Sequence, residues 1–332
     1  MTVRAQYPVF GRRTPDFDVR SKWFTALFDE LRKRIPTSVL RLLYVPASPA
    51  THAFYRLQMR FLEDPSAVTH IITNMHSFLL RRTHRSPTVI SCYDVGLRWT
   101  VQRLPLADRV IVSARQIKDE LEGIVRLPHE PEVVHLAVPA TYTPSDLLRK
   151  QNVILYVGTE QRRKNIDGLF RILARVNRET DATLVKVGSP SADRGRLEAL
   201  ARDLRIQDRI IWRDFVPEEE LLQLYRTSTV VVVPSFLEGF SMPCLEAMST
   251  GCPLVASNLT AIPEIVGDGG WLLDPSDEAA WANAILRILG DPDVARDLSR
   301  RGIARSHDFS AVTSATRILG IYEEVSRERG GG

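Results

Sequence analysis

The sequence predicts an α/β protein that contains two consecutive doubly wound domains. Short apolar, β-branched segments alternate with amphipathic helical patterns along most of the chain, which is typical of parallel sheets covered by helices on both faces. A polar stretch at residues 139–150 interrupts this alternation and is interpreted as a linker. The length of 332 residues is that of about two domains. We therefore expect domains at residues 1–145 and 146–310, followed by a C-terminal helix.

The first domain begins with a strand that ends at Gly11 and a helix whose Leu27 and Leu31 share one face. Pro46 closes the next segment, an apolar run with β-branched residues at its ends, which predicts a strand. In chain order we predict a strand at 2–10, a helix at 18–34, strands at 39–45, 67–73, 88–92 and 109–113, a helix at 114–123 and a strand at 133–136.

The second domain repeats the pattern more regularly, from a first strand that ends at Gly158. The continuous apolar run at 229–233 is typical of a strand buried on both faces. Ligands of doubly wound sheets bind beyond the carboxyl ends of the strands, so we expect the functional residues to follow the predicted strands. The predicted strands are 152–157, 183–187, 209–212, 229–233, 253–257 and 271–273, and the predicted helices are 167–178, 194–204, 218–227, 242–250, 263–266, 278–289, 294–306 and 311–327.

The composition is that of a soluble globular protein, with 44% hydrophobic and 25% charged residues. It excludes a disordered or collagen-like chain. No apolar run approaches the roughly 18 residues of a membrane-spanning helix, and the N-terminus lacks the apolar core of a signal peptide. Three cysteines argue against a disulfide framework, and no histidine or cysteine spacing indicates a metal site. We expect a cytoplasmic protein.

The net charge of +4 conceals an asymmetry between the two halves of the chain. Residues 1–150 carry 22 Lys and Arg against 14 Asp and Glu, a net +8, and residues 151–332 carry 22 against 26, a net −4. The basic charges are scattered, with no run longer than residues 32–34, so we expect no nucleic-acid binding. A solvated surface is the plain interpretation of the basic half. The functional interpretation is that the basic half binds an anionic membrane or a phosphate-linked lipid acceptor. Arg12 is among the basic residues near the start of this half.

The most informative segment follows the buried strand at 229–233. A loop carries Glu238 and Gly239, and a helix then opens near Ser241, where unpaired amides suit a phosphate. Glu246 lies eight residues after Glu238, inside that helix, and its carboxylate can accept two hydroxyl hydrogen bonds, as in the grip of a ribose diol. The alternative is that both glutamates are exposed surface acids.

The longer string decides between these interpretations. Residues 238–248, EGFSMPCLEAM, followed by TGCPLVAS at 250–257, resemble the E-x7-E signature of retaining nucleotide-sugar glycosyltransferases of glycosyltransferase family 4. The resemblance continues through AIPEIVGDGG at 261–270 and LLDP at 272–275. VGTEQRRKN at 157–165 is similar to a second motif of the family. Thr159 stands where many members have an arginine, and this form is the one found in the mannosyltransferase-like branch.

The resemblance implies the GT-B fold, in which two Rossmann-like domains face a central cleft and the last helix returns to the first domain. It implies retaining, metal-independent transfer of a hexosyl group from GDP-mannose or a UDP-hexose to a glycan or lipid-linked acceptor, with no cofactor. The second domain would bind the donor and the first the acceptor. A non-catalytic nucleotide-sugar-binding subunit and a sugar-nucleotide epimerase share this architecture and are the alternatives.

The resemblance also assigns residues. Lys164, Arg163 and the helix amides near Ser241 would stabilise the leaving diphosphate, because charge grows there in the transition state. Glu238 would contact the donor sugar, with a covalent role as the less favoured option, and Glu246 would hold the ribose. Arg162 is left as a surface residue. Further donor contacts would come from Gly158, Thr159, Gly188, Phe215, Val216, Gly239, Phe240, Met242 and Leu245.

The first domain departs from the family pattern. Asp94 is retained as a catalytic candidate, but Tyr93 stands where the family has a histidine, and a tyrosine cannot carry a proton near neutral pH as histidine does. The usual Gly-Gly loop is absent, and Gly11 and Arg12 stand there instead. The other acceptor-side candidate is His76.

The second domain departs from the family at the segment that holds the base, where Asp214 replaces a glycine. Trp212 and Phe215 flank this position. They are interpreted first as core residues, with base stacking as the alternative.

Overall fold

The computed structural model describes residues 3–10, 22–42, 51–147 and 149–330. Its contacts form two compact units, the first composed of Met1–Pro139 with Phe309–Gly332 and the second of Ala140–Asp308. The division lies between Pro139 and Ala140, whereas the sequence interpretation placed it at 145–146. Much of the polar stretch interpreted as a linker therefore packs with the second unit. Arg149 shows why, because its guanidinium donates to the backbone oxygens of Tyr225, Ser228 and Gly251.

The first unit contains a six-stranded parallel sheet in the order β2-β1-β3-β4-β5-β6. Its strands and helices, in chain order, are β1 (Ala5–Phe10), α1 (Lys22–Arg32), β2 (Thr37–Leu42), α2 (Thr51–Leu62), β3 (Val68–Ile71), β4 (Thr88–Cys92), α3 (Arg98–Val101), β5 (Arg109–Val112), α4 (Arg115–Glu122) and β6 (Glu132–Val133). A 3-10 segment, Asn74–Leu79, follows β3.

Each of the eight elements predicted for the first unit has a counterpart, although residues 2, 18–21 and 43–45 of those predictions lie outside the described residues. Helix α2 was not predicted. Its apolar residues lie on two faces, since Tyr55 and Met59 are buried whereas Leu57 and Phe61 are exposed. No single apolar stripe therefore marks this helix in the sequence. Helix α3 is one turn long, too short for a periodic pattern.

The second unit contains another six-stranded parallel sheet, in the order β12-β11-β10-β7-β8-β9. Its elements are β7 (Val153–Val157), α5 (Ile166–Val176), β8 (Thr183–Val187), α6 (Arg194–Asp203), β9 (Ile210–Arg213), α7 (Glu218–Thr227), β10 (Val230–Val233), α8 (Met242–Ser249), β11 (Leu254–Ser257), α9 (Ile262–Val266), β12 (Trp271–Leu273), α10 (Glu278–Gly290) and α11 (Pro292–Ser306). Every predicted element of this part of the chain is present, with ends shifted by no more than two residues.

The strand order of the second unit reverses between β7 and β10. The chain proceeds outward from β7 through β8 to β9, then returns to pair β10 with β7 and proceeds outward on the other side. At such a reversal the following helices leave on opposite faces, so a crevice opens at the carboxyl ends of the two central strands. The loops after β7 and β10 carry Lys164 and Glu238. The topology thus brings the two predicted motifs together.

The last helix, α12 (Ala311–Gly330), packs on the first unit. Its buried Tyr322 hydroxyl lies 3.1 Å from that of Tyr7 on β1 and 2.7 Å from His70 Nδ1 on β3. The other ring nitrogen of His70 lies 2.8 Å from Ser91 Oγ on β4. A buried polar chain therefore connects α12 to three strands. None of the helices in the described part of the chain combines the length and the apolar character needed to span a membrane.

The buried histidine makes a prediction about acid stability. Burial lowers the pKa of His70 to about 3, from an ordinary value near 6.5. The unfolded chain therefore binds a proton that the folded chain does not between these two pH values, so stability is full above pH 6.5 and decreases toward pH 3. We expect this residue to contribute a loss of up to about 1.4 kcal/mol per pH unit in that interval.

Urea unfolding of the protein and of His70→Gln at several pH values tests this prediction. The variant is expected to be less stable at pH 7, and the difference between the two proteins should shrink as the pH falls. Parallel curves over the whole range would contradict the assignment.

Candidate functional site

The first component of the site is the turn that follows β7. A 3-10 turn, Arg162–Lys164, leads to Asn165, which adopts a left-handed conformation with φ 54°. Asparagine tolerates this conformation. The Asn165 side chain accepts from Gly168 N at 3.2 Å, which caps α5, and donates to Pro275 O at 3.0 Å. The C-terminal end of the turn is thereby fixed directly after Lys164.

The second component is the loop that follows β10. Glu238 is buried there, and one of its carboxylate oxygens lies 2.6 Å from Lys164 Nζ and 2.8 Å from Ser235 Oγ. Its other oxygen lies 3.6 Å from the Arg163 guanidinium. A cation, a carboxylate and a second cation thus lie together at the strand-order reversal. The structure brings together the three residues that the two sequence motifs nominated.

Arg163 connects the two loops in addition to facing Glu238. Its guanidinium donates to Leu237 O at 2.9 Å and to Gln161 Oε1 at 2.8 Å, and its backbone oxygen accepts from Phe236 N at 2.8 Å. The neighbouring Arg162 is exposed, as its interpretation as a surface residue requires. Arg163 therefore places a positive charge beside the Glu238 carboxylate and also stabilises the loop that carries Glu238.

The third component is the N-terminus of α8. Ser241, the residue before the helix, has φ 79°, and its hydroxyl bonds to Cys244 Sγ at 3.2 Å instead of capping the first-turn amides. Pro243 occupies the first turn, where its missing N–H is not needed. The amide dipoles give this end of a helix a partial positive charge. The helix end is therefore suited to hold an anion.

Glu246 lies in the second turn of α8 and is buried. Its carboxylate accepts a hydrogen bond of 2.7 Å from the Tyr225 hydroxyl, supplied by α7. Burial, and then the Glu246 carboxylate, raise the pKa of Tyr225 well above its usual value, so this hydroxyl remains a donor. Tyr142 packs edge-on against Tyr225, with ring centroids 6.2 Å apart. The interpretation of Glu238 and Glu246 as exposed surface acids is wrong.

The ends of β7 and β8 meet at two glycines, and Gly188 tolerates no side chain. Its φ is +128°, and a Cβ built there would lie 2.4 Å from Gly158 O. We expect Gly188→Ala to lower the free energy of unfolding by about 3 kcal/mol, from backbone strain and overpacking together.

Chemical denaturation measures the Gly188→Ala effect, and Gly195→Ala is the matched control. Gly195 lies in α6 with nothing within 4 Å of its hypothetical Cβ, so alanine there should stabilise by about 0.5–1 kcal/mol. Equal effects of the two substitutions would contradict the close approach.

The remaining donor-side candidates differ in their solvent exposure. Thr159 is exposed, and its carbonyl accepts from the Tyr156 hydroxyl at 3.2 Å. Gly239 and Met242 are half-buried, whereas Phe240 and Leu245 are buried. Gly239 in the loop and Met242 at the start of α8 are therefore partly accessible, while the side chains of Phe240 and Leu245 are buried.

The interpretation of Phe215 as a core residue is wrong, because 74% of this residue is exposed in the loop after the edge strand β9. Val216 beside it is buried. Trp212 does pack at the margin of the core, edge-on to Phe170, and the guanidinium carbon of Arg194 lies 4.2 Å from its ring centroid. The exposed ring of Phe215 leaves base stacking open for that residue.

Sequence reasoning missed a buried ionic cluster next to the Gly188 turn. Lys186, fully buried on β8, donates to Glu160 Oε1 at 2.8 Å and to Gly188 O at 2.5 Å. Arg194 also binds Glu160, and it pairs with Asp214 at 2.5 Å. Burial raises the pKa of Glu160, but hydrogen bonds from Arg194 and Lys186 outweigh it and lower the pKa overall. A lysine inside an otherwise apolar strand was the available signal.

The first-unit candidates lie after β3 and β4, on either side of a buried asparagine. Asn74 donates to Asp94 O at 2.7 Å and to Thr100 Oγ1 at 2.8 Å. Burial lowers the pKa of His76 to about 4 and raises the pKa of Tyr93 above its usual value, so both side chains are neutral near pH 7. The carboxylate of Asp94 is exposed, and it accepts from Gly96 N.

Sequence reasoning did not identify Asn74, whose side chain binds the backbone of the candidate Asp94. Its position beside a candidate histidine at a strand end was the available signal. The predicted acceptor-side residues Gly11 and Arg12 lie outside the described residues.

Comparison with known proteins places the second unit in a family. Residues 143–305 match the family model described as Glycosyl transferases group 1. The O-antigen chain mannosyltransferase B of Escherichia coli is 37% identical over 175 residues, which cover 52% of this chain and 46% of that protein. The MMP alpha-(1->4)-mannosyltransferase of Mycolicibacterium hassiacum is 30% identical over 250 residues, 74% of this chain and 60% of that protein. The chain spans about half the length of these curated relatives.

A solved structure extends the fold comparison to both units. An Anabaena protein, HepE, in complex with UDP and glucose superposes with a TM-score of 0.79 at 16% identity, covering 97% of this chain and 100% of that one. The two parallel sheets and this superposition establish the GT-B fold. Residues 143–305 therefore form a domain of the glycosyl transferases group 1 family, within a chain that has the GT-B fold and a sequence similar to those of mannosyltransferases.

Proposed function

We propose that this protein transfers a hexosyl group from a nucleoside diphosphate sugar to an acceptor hydroxyl, with retention at the anomeric carbon. The observation that carries the proposal is the Lys164–Glu238 pair at 2.6 Å, located at the strand-order reversal beside the N-terminus of α8. A cation and a positive helix end suit a diphosphate, and a buried carboxylate suits sugar hydroxyls. Both lie within a domain whose family is named for glycosyl transfer.

The reaction breaks the bond between the anomeric carbon and the diphosphate oxygen and forms one to the acceptor oxygen. Negative charge develops on the leaving diphosphate. Lys164, Arg163 and the first-turn amides of α8 are proposed to stabilise it, and preorganised charges of this kind supply a large share of enzymatic rate enhancement. The acceptor proton passes to the departing phosphate oxygen. These groups are proposed to suffice without a metal ion.

Each glutamate is proposed to bind a different part of the donor. Glu246, oriented by the Tyr225 hydroxyl, accepts the two ribose hydroxyl protons. Glu238 faces the hexose and stabilises the positive charge that develops at its anomeric carbon. Asp94 and Tyr93 in the first unit are proposed to contact the acceptor, which is a glycan or a lipid-linked glycan.

GDP-mannose is the proposed donor, with a UDP-hexose as the alternative. Mannosyltransferases are among the similar sequences, and the motif at 157–165 has the form found in that branch. A structural neighbour solved with UDP and glucose supports the alternative.

A donor screen by mass spectrometry tests the proposed activity. The protein is incubated with GDP-mannose, UDP-glucose, UDP-galactose or UDP-N-acetylglucosamine and with soluble or lipid-linked acceptors. We expect one donor to give a product heavier than its acceptor by one hexosyl residue. Free nucleotide with an epimerised sugar and no glycosylated product would instead indicate an epimerase. Failure of every donor while nucleotide still binds would indicate a non-catalytic subunit.

A further inference from the structure

Helix α2 presents an apolar stripe that the protein does not cover in the described residues. Phe54, Leu57 and Phe61 follow one face at i, i+3 and i+7, and Leu57 and Phe61 are 50% and 73% exposed. The opposite face, with Tyr55 and Met59, is buried against the unit. A helix in a globular protein ordinarily exposes polar residues opposite its buried face, so this second stripe indicates a partner.

Arginines border the apolar stripe. A groove of about 680 Å³ is lined by Arg56 and Arg60 from α2 and by Arg81 and Arg85 from the segment before β4, together with Leu57 and Phe61. Basic and apolar side chains thus share one concave surface, which we call the α2 groove.

The charge of the α2 groove is largely uncompensated. Arg81 binds the buried Glu63, which also accepts from His84 Nδ1 at 2.9 Å. Arg56 instead donates to the carbonyl of Phe78 at 3.2 Å, and Arg85 to that of Arg60 at 3.4 Å. Within the described ranges no carboxylate lies within ion-pair distance of Arg56, Arg60 or Arg85. Carbonyl oxygens orient these side chains without neutralising them, so the groove keeps a net positive charge.

We propose that α2 and its groove form a docking surface for an anionic lipid bilayer. An amphipathic helix with aromatic and leucine side chains bordered by arginines is the arrangement that lies in the plane of a membrane interface. Phe54, Leu57 and Phe61 enter the acyl boundary while the arginines bind lipid phosphates. The exposed apolar stripe favours a bilayer over a nucleic acid, which would require base-stacking or groove-reading residues beside the charges. The proposal does not depend on the transfer activity.

Vesicle co-sedimentation of the full chain tests the proposal. Phosphatidylcholine vesicles are compared with vesicles that contain about 30 mol% phosphatidylglycerol. We expect binding to the anionic vesicles to be at least about tenfold tighter, and to weaken in about 0.5 M salt. Equal binding to the two compositions, or none to either, would overturn the proposal.

Two double variants separate the contributions of the groove. Leu57→Ser with Phe61→Ser should weaken binding to anionic vesicles at least about fivefold, and Arg56→Gln with Arg60→Gln should abolish the preference for anionic lipid. Val312→Ser is the matched control, since Val312 is a half-exposed apolar residue on α12 of the same unit, and it should bind like the unchanged protein. The substituted side chains are exposed or half-exposed, and circular dichroism confirms that each variant is folded.

Two outcomes of these comparisons would overturn the assignment. One is binding by both double variants that equals that of the unchanged protein. The other is tight, arginine-dependent binding of a DNA or RNA oligonucleotide without vesicle binding, which would assign the arginines to a nucleic acid instead.

Discussion

Lys164→Ala is expected to lower the turnover number roughly 10²–10³-fold, the usual effect of removing one preorganised group that stabilises a leaving anion. Lys164 Nζ lies 2.6 Å from Glu238, in the loop that precedes α8, and under the proposed mechanism its removal takes away a cation that stabilises the leaving diphosphate. Release of nucleoside diphosphate at saturating donor measures the effect.

Arg162→Ala provides the matched control for this substitution. Arg162 is a basic residue of the same 3-10 turn, but it is exposed, so the turnover number should change less than about twofold. Thermal unfolding of both variants checks that each is folded, because alanine at 164 leaves the buried Glu238 carboxylate with one fewer partner. Equal activity of the two variants would remove Lys164 from the reaction.

Glu246→Ala is expected to weaken nucleotide binding roughly 10–100-fold, since hydrogen bonds to a charged group contribute about 1.5–3 kcal/mol. The turnover number at saturating donor should change much less. Glu238→Ala should show the reverse pattern, with turnover reduced more than nucleotide affinity, because its carboxylate is proposed to contact the donor sugar and not the nucleotide. Titration calorimetry and steady-state kinetics together separate the two glutamates.

Two further variants show whether Glu246 acts through its oriented carboxylate. Tyr225→Phe removes the 2.7 Å hydrogen bond to Glu246 and should weaken nucleotide binding by a smaller factor, roughly 2–10-fold. Glu219→Ala removes an exposed acid from the same helix, α7, and should leave affinity unchanged. Small and equal effects of the Glu246 and Glu238 substitutions on both affinity and turnover would contradict the assigned roles.

The second unit was predictable because its sequence signals are local. Continuous apolar strands such as Val230–Val233 end at glycines or loops, and amphipathic helices such as α5 follow them. The site components were predictable for a related reason. Lys164 and Glu238 each lie in a segment that resembles a glycosyltransferase motif and follows a strand, and the strand order in the structure brings these two strand ends together.

The parts that sequence did not predict depend on contacts between distant residues. The hydrogen bond from Tyr225 to Glu246 joins two helices, and nothing in the periodicity of α7 distinguishes a tyrosine that packs from one that orients a carboxylate. Lys186 is the charged residue of an otherwise apolar strand, and its counter-charge comes from Glu160, 26 residues away in the sequence. Large aromatic residues are usually buried, which favours a core position for Phe215, yet it lies exposed in a loop beyond an edge strand.

The first unit shows the same limit at the level of whole elements. Helix α2 escaped prediction because it has apolar residues on both its buried and its exposed faces. The exposed apolar face, which obscures the helical pattern in the sequence, is also the face proposed to dock on a membrane. Only the burial of each side chain distinguishes the inner face of this helix from its outer face, and the order of residues in the sequence does not reveal burial.

Calorimetric titration of GDP and UDP into the full chain requires no acceptor and therefore tests the proposed nucleoside diphosphate site by itself. We expect saturable binding of at least one of these nucleotides with one site per chain, weakened roughly 10–100-fold by Glu246→Ala and unchanged by Glu219→Ala. Absence of binding for both nucleotides, or equal affinity in the unchanged protein and Glu246→Ala, would contradict a nucleoside diphosphate site at the β7–β10 reversal.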